Sequence, residues 1–199
     1  MSWLSFSHDE LEARDRYKLL SGAIVPRPIA LITTMSEDGN INAAPFSFFN
    51  VLSADPGIVA IGLESNEDGS LKDTSQNIRE SGEFVVNMVD RPMADAMKIC
   101  AEPLATGIEE PSRAGLTTIP SEVVRPPRLE ASPASFECTR HTTLEISASR
   151  QIVLGLVRHL HFREGVVDPT RMRIDVHELN LIGRLAGTRY LGMTDIFGL

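Results

Sequence analysis

From residue 26 onward the chain alternates short apolar runs with turn residues. Pro28 cannot donate a ladder hydrogen bond, so a first strand begins beyond it and reads Ile29-Ala30-Leu31-Ile32-Thr33-Thr34. Asp38-Gly39 is a hairpin signal, because both turn residues accept positive φ, and the chain returns from Ile41 to Pro45. Asp55-Pro56-Gly57 marks the next turn, followed by a buried strand over Ile58–Leu63, and Phe84–Val89 reads as another. Ser135–His141 alternates, and Ile152–Phe162 is a long strand whose alternation comes late. Between these lie helical patterns. Residues 8–20 would pack Leu11, Tyr17 and Leu20 and stop at Gly22. A second helix starts with Asp73 or Thr74 as N-cap, faces the core with Ile78 and stops at Gly82. Arg91–Met97 opens a third, with Pro92 near its first position. Residues 101–133 hold little period and are rich in Pro, Gly and Ser; an excursion of that length usually serves function or an interface. Met172–Asp175 reads as helix or turn, and Leu181–Leu185 as a short last element. Six or seven strands with helices at intervals predict an antiparallel barrel or sandwich rather than a βαβ sheet.

The 199 residues suit one domain, 1–199, with a helical extension over about 1–20 and the excursion at about 101–133. A hydrophobic fraction of 42% supplies a sizeable core, and a net charge of −8 argues against nucleic acid or an anionic membrane as partner. No apolar run reaches a membrane-spanning length, and MSWLSFSHDELEARDR lacks a charged-then-apolar export pattern. Cys100 and Cys138 form no framework and no CxxC pair, so reduced, buried thiols and a cytoplasmic location are expected.

The stretch with chemistry is NAAPFSFFNVLSADPG at 42–57. Three phenylalanines crowd around Ser47 and Asn50, a mixture that suits a planar ligand with polar edges. The alternative is an ordinary β-core with Ser47 and Asn50 facing solvent. Lys72 stands just before a helix start, where a cation and free backbone N–H groups can hold a phosphate; alternatively Asp73 and Thr74 merely cap and Lys72 is solvated. His159 and His161 share one strand face, but no third ligand joins them in sequence, so a pocket-lining histidine is favoured over a metal site. Zincin, P-loop, nucleophile-elbow and dinucleotide signatures are absent. A chain without its own nucleophile–base pair suits a bound cofactor that supplies the reactivity.

The succession PRPIALITT, NAAPFSFFNVLSADP, KDTSQNIRESGEFVVN, AGLTTIPSEVVRPPRLEASPASFEC and LGLVRHLHFREGVVD resembles the flavin reductase-like, FMN-binding split-barrel family, and within it the flavoredoxin-like branch, over roughly residues 20–190. The resemblance implies a mainly β fold with helices, a six-stranded antiparallel Greek-key split β-barrel, a homodimer, and FMN near the subunit interface, with NADH or NADPH as co-substrate. Carried over on matching positions, Ala44, Pro45, Ser47, Phe48, Phe49 and Asn50 would follow the isoalloxazine edge. Lys72, Asp73 and Thr74, with Asn77 close by, would meet the phosphate; Arg27 and Asn87 are second-rank candidates. His161 matches a strand histidine that in related reductases faces the flavin or nicotinamide, with His159 as its rival. GRLAGTRY resembles a family ending that brings in Arg184 and Tyr190, although Ala186 stands where a glycine is usual. The implied activity is NAD(P)H-dependent transfer of hydride to flavin N5; the alternatives are a non-catalytic FMN electron carrier or flavin-sensing module, and a pyridoxamine-phosphate-oxidase-like barrel.

Overall fold

A computed structural model describes residues 1–102, 109–193 and 195–198. Its centre is a seven-stranded, wholly antiparallel sheet. The strands are β1 (Ala30–Met35), β2 (Ile41–Phe46), β3 (Phe49–Ala54), β4 (Gly57–Glu64), β5 (Glu83–Met88), β6 (Ala134–Ser147) and β7 (Arg150–Phe162), in the order β2-β1-β5-β6-β7-β4-β3. The two edge strands β2 and β3 are consecutive in sequence and only Ser47 and Phe48 separate them. A sheet whose opposite edges are tied by two residues must curl on itself, and the result is a barrel split along the β2–β3 seam. Counted as one bent strand, 41–54 gives the six strands the resemblance implied.

One core fills the curl. Ile32, Phe49, Ile61, Phe84, Met88, Cys138 and Val153 all contribute to it, and Ile78 of the helix α2 (Asp73–Ser81) packs onto it. Gly82 ends α2 at φ 71°, as the sequence predicts. The 36–40 loop is longer than a two-residue hairpin. Ser36 N–H bonds Asn40 O, and only Gly39 takes positive φ, at 88°, so Asp38 needs no special backbone.

Strand β1 is buried on both faces, which a half-exposed strand would not be. The second layer comes from the excursion, of which residues 103–108 lie outside the described residues. Leu129 packs with Leu31, Val89, Met93, Met97 and Cys100 on the outer face of the barrel. A four-residue helix, Glu110–Arg113, guards the open edge: Ile41 N–H donates to Glu109 Oε1 and Ala43 N–H to Glu110 Oε2, both at 3.2 Å. Carboxylates on an edge strand satisfy its free donors and block further pairing.

Several local expectations change. The N-terminal helix is a 3₁₀ turn at His8–Glu10 followed by α1 (Ala13–Ala23), and Tyr17 and Leu20 are exposed rather than packed. The third helix begins at Ala94, after Pro92, because Asp90 Oδ1 accepts from Met93 N–H and holds the entry. Residues Arg173–Ile174 pair with Val167–Asp168 as a short ladder, with a helical turn following at Val176–Leu179. Both β6 and β7 run further than the alternation showed, into a hairpin that carries Leu144 and Ile146 exposed. Among the described residues no helix is long and apolar enough to cross a membrane.

Candidate functional site

The split seam is a trough. Gly62 N–H donates to Phe48 O at 2.7 Å, and a Cβ on Gly62 would lie 3.0 Å from Phe48 Cβ, so glycine lets the Ser47-Phe48 crossing lie against β4. Three cavities follow one another along it. The first, of about 510 Å³, separates α1 (Leu20, Ser21, Ile24) from Ser47, Phe48, Phe49, Asn50 and the β4 surface at Ala60 and Gly62, with Arg27 at its head. The second, about 220 Å³, shares Ser47 and Phe48 and adds Tyr17, Pro45, Phe46 and Lys72. The third, about 550 Å³, shares Pro45 and Lys72 and reaches Asn42, Ala44, Asp73, Thr74 and Glu110.

Arg27 is buried. Its Nη1 donates to Ser21 O and, at 3.2 Å, to Ile24 O; Nη2 donates to Leu185 O at 3.4 Å, and Nε to Ser47 Oγ at 3.4 Å. Its guanidinium lies 5.9 Å from the Phe48 ring centroid, within cation–π range. Its hydrogen-bond partners are all neutral, and among the described residues no carboxylate pairs with it at the head of the trough.

At the other end, α2 begins at Asp73 with extended Lys72 in the N-cap position and no side-chain cap. This corrects the expectation that Asp73 or Thr74 caps. The Thr74 hydroxyl is turned inward, where it accepts from Asn42 Nδ2 at 2.9 Å. Asn42 and Asn77 also donate to Thr34 Oγ1, at 3.2 and 3.0 Å, and burial makes that network worth more than an exposed cap. The first N–H groups of α2 are left without a side-chain acceptor, with the Lys72 ammonium beside them and no ion pair to it among the described residues. Glu110, at the side of this cavity, has its carboxyl pushed up by burial, against hydrogen bonds from its own N–H and that of Ala43.

The trough therefore gathers Arg27, Ala44, Pro45, Ser47, Phe48, Phe49, Asn50, Lys72, Asp73 and Thr74. Other expected site residues stand apart. Asn77 spends its amide on Thr34. Asn87 is wholly buried and has no polar valence left: it donates to Leu31 O and Thr33 Oγ1 and accepts from Leu129 N–H and Ser135 Oγ. Arg184 and Tyr190 bond each other through Nη1 and the phenol oxygen in a small sheet where Arg184 lies opposite Arg27. An apolar cavity of about 500 Å³ lies beside them, between Pro26, Met88, Ile182 and the tail residues Leu191 and Phe197.

His161 is on the outer face of the barrel, since Ala134, Phe136 and Cys138 of the paired strand point inward and Glu137 outward. Its Nε2 is 2.6 Å from Glu137 Oε1, and its ring stacks on His159 at 4.5 Å. Glu137 is fully buried and also accepts from the N–H groups of Glu122, Val123 and Val124 at 2.7, 2.7 and 3.2 Å. Burial alone would raise its carboxyl, but the Glu122 and Val123 N–H groups and His161 outweigh it and hold the group below the usual range. An ionised carboxylate only accepts, so Nε2 carries the proton. No cluster of three metal-ligating side chains occurs among the described residues. Cys100 and Cys138 are free and buried; burial, then Glu110, pushes the Cys100 thiol to about 11, and burial raises Cys138 also.

Sequence reasoning missed Tyr17, Leu20 and Ile24 as trough wall and Glu137 as the partner of His161. The helix period assigns Tyr17 and Leu20 to packing, and Ile24 falls in the Pro-restricted stretch after Gly22. Glu137 carries no motif, because three of its four partners are backbone N–H groups.

The curled antiparallel sheet split at a ligand-sized seam defines a split-barrel protein. Residues 21–176 match the model of the flavin reductase like domain, and the chain belongs to that family of flavin-related oxidoreductases. Nitrilotriacetate monooxygenase component B from Bacillus cereus is similar over 100% of both chains, at 33% identity and a TM-score of 0.94. The 2-nitrobenzoate 2-nitroreductase NbaA of Pseudomonas fluorescens is 34% identical, with 98% of this chain and 95% of that one covered and a TM-score of 0.91. Flavoredoxin of Desulfovibrio vulgaris (Miyazaki F) shares the fold, with a TM-score of 0.76 at 16% identity over 88% of this chain and 91% of that one.

Proposed function

We propose that the chain is an NAD(P)H-dependent FMN oxidoreductase whose flavin occupies the split seam. The observation that carries this reading is the continuity of the trough, from an apolar cavity headed by Arg27 to an uncapped helix start with Lys72, neither cation paired with a carboxylate among the described residues. Large apolar faces with sparse polar groups suit a flat ring, and the α2 terminus suits a phosphate dianion. When bound, FMN would supply the redox chemistry by accepting hydride at N5. The protein's part is alignment and exclusion of water: Phe48 and Phe49 provide ring surface, Ser47 and Asn50 polar edges, and Lys72 an anchor. Among the described residues no histidine lines the trough, and hydride transfer to N5 needs no proton removed from the nicotinamide carbon. The names of the two relatives near one-third identity support an acceptor beyond the protein, either free flavin handed to an oxygenase or a nitroaromatic compound.

The test is anaerobic stopped-flow bleaching of bound FMN by NADH and NADPH, followed by addition of oxygen, free flavin or 2-nitrobenzoate. FMN that binds but is bleached by neither nucleotide would favour the electron-carrier reading. In the same titration Lys72→Ala is expected to weaken FMN about tenfold or more while changing riboflavin little, because only FMN presents the dianion. Equal losses for both would remove the phosphate from α2.

We also infer a homodimer. Val51 and Leu52 on the edge strand β3 are 63% and 60% exposed, and Leu160, Phe162 and Phe197 add apolar surface that a lone barrel would leave wet. Sedimentation is expected to give a mass near twice the 21.8 kDa chain. A stable monomer with full flavin occupancy would overturn it.

A further inference from the structure

Helix α1 does not lie on the barrel; the 510 Å³ cavity separates them. Its C-terminal end is moored, since Arg27 takes the carbonyls of Ser21 and Ile24. The preceding turns carry Tyr17, 54% exposed, out over the seam, where it lines the cavity that also holds Phe48 and Lys72. The Tyr17 and Phe48 rings form a tilted pair across the seam, with centroids 6.2 Å apart and planes at 41°, and are not stacked. Next to Tyr17, Arg16 Nε is buried with no hydrogen-bond partner among the described residues. A buried orphan donor is costly, so a shift of α1 that exposed it would relieve that cost.

We propose that Tyr17 is a ligand-binding residue that, with Phe48, clamps the flat heteroaromatic ring of the ligand in the seam. This rests on the flavin reading above and names a contact that the 42–50 stretch and Lys72 do not supply. A ring held between two others needs centroids roughly 7–8 Å apart, twice the carbon–carbon contact distance of about 3.5–4.0 Å. The present gap is short of that by only about 1–2 Å. A small pivot of α1 about its Arg27 mooring provides the difference and levels the tilt, and it also moves Arg16 out of its unsatisfied position. Tyr17 then governs how long the ligand stays, while Lys72 governs which phosphate state is accepted.

The experiment uses the full chain and FMN, with Tyr17→Leu and Tyr17→Phe beside wild type. Tyr17→Leu is expected to raise the FMN dissociation rate roughly five- to tenfold and to relieve quenching of flavin emission. Tyr17→Phe keeps the slow dissociation. Because Tyr17 is half-exposed, neither variant shifts the melting temperature of the flavin-free protein. In a Phe48→Leu background the effect of Tyr17→Leu shrinks, since the clamp has already lost one jaw. Wild-type-like dissociation in Tyr17→Leu, with FMN bound, overturns the clamp and leaves the flavin reading standing. Absence of saturable FMN binding by wild type overturns both.

Discussion

Glu137→Ala is expected to destabilise the protein by about 3–5 kcal/mol in urea unfolding at pH 7. The change strips the acceptor from three backbone N–H groups and His161 at a buried site, where an orphaned donor costs about 1–3 kcal/mol. The Glu137 carboxylate is the clasp between the barrel and the 121–126 loop. It accepts from Glu122, Val123 and Val124 N–H and from His161 Nε2 while fully buried. Truncation leaves Val124 N–H, itself buried, without a partner and frees the imidazole. Glu137→Gln should cost less, because one amide oxygen still accepts. The pH dependence has a definite sign. The folded carboxyl titrates below its ordinary value, so the unfolded chain takes up the proton first. The contribution is complete above the unfolded value of about 4.3 and disappears as pH falls through the lower folded value. The gap between wild type and Glu137→Gln should therefore narrow in acid below about pH 4. A gap that is constant from pH 7 to 3 would mean that the carboxylate is not the ionised acceptor drawn here.

The same residue shows where a sequence stops being legible. The 30–46 hairpin, the end of α2 at Gly82 and the gathering of aromatics at 46–49 are local features, each written in proline, glycine or alternation within a few residues. Two stretches of the trough lining, Ser47–Asn50 and Lys72–Thr74, are readable for that reason. What joins them is not, because the cavity needs β2 and β3 to be opposite edges of one sheet. Type and spacing point to His159 and His161 together, and only the family resemblance favours His161; its partner Glu137 lies 24 residues earlier on a neighbouring strand. Asn87 looked available for a ligand and is instead used up bonding β1, β6 and the Leu129 segment. Tyr17 reads as a core-facing helical position, yet it stands half-exposed over the seam, where it meets only the Phe48 ring among the described aromatics. Residues 109–133 have almost no period because they form a cover whose contacts are with the outer face of distant strands.

Gly155→Ala is expected to cost about 2–3 kcal/mol, and Gly155→Val more, although alanine adds a single methyl group. A Cβ at position 155 would fall 2.3 Å from Phe84 Cζ, 3.0 Å from Phe84 Cε1 and 3.3 Å from Val59 Cγ2. Phe84 is fully buried at the centre of the core, so its ring has no free volume to retreat into. Gly155 is where β7 slips register against β6, and its partner on the other side is Val59 of β4. Phe84→Leu alone should cost roughly 1–2 kcal/mol through the void it leaves. Combined with Gly155→Ala it should cost clearly less than the two changes summed, since the smaller side chain yields the space that the methyl group needs. Strict additivity in guanidinium unfolding would mean that backbone strain in the slipped register, and not the Phe84 ring, makes glycine necessary. The clash also bears on the seam. Val59 adjoins Ala60, and Gly62 two residues on carries the Phe48 crossing, so a β4 pushed outward by Gly155→Ala shifts the trough wall. FMN affinity should fall in Gly155→Ala and recover in the double variant, tracking the core repair although neither residue lines the trough.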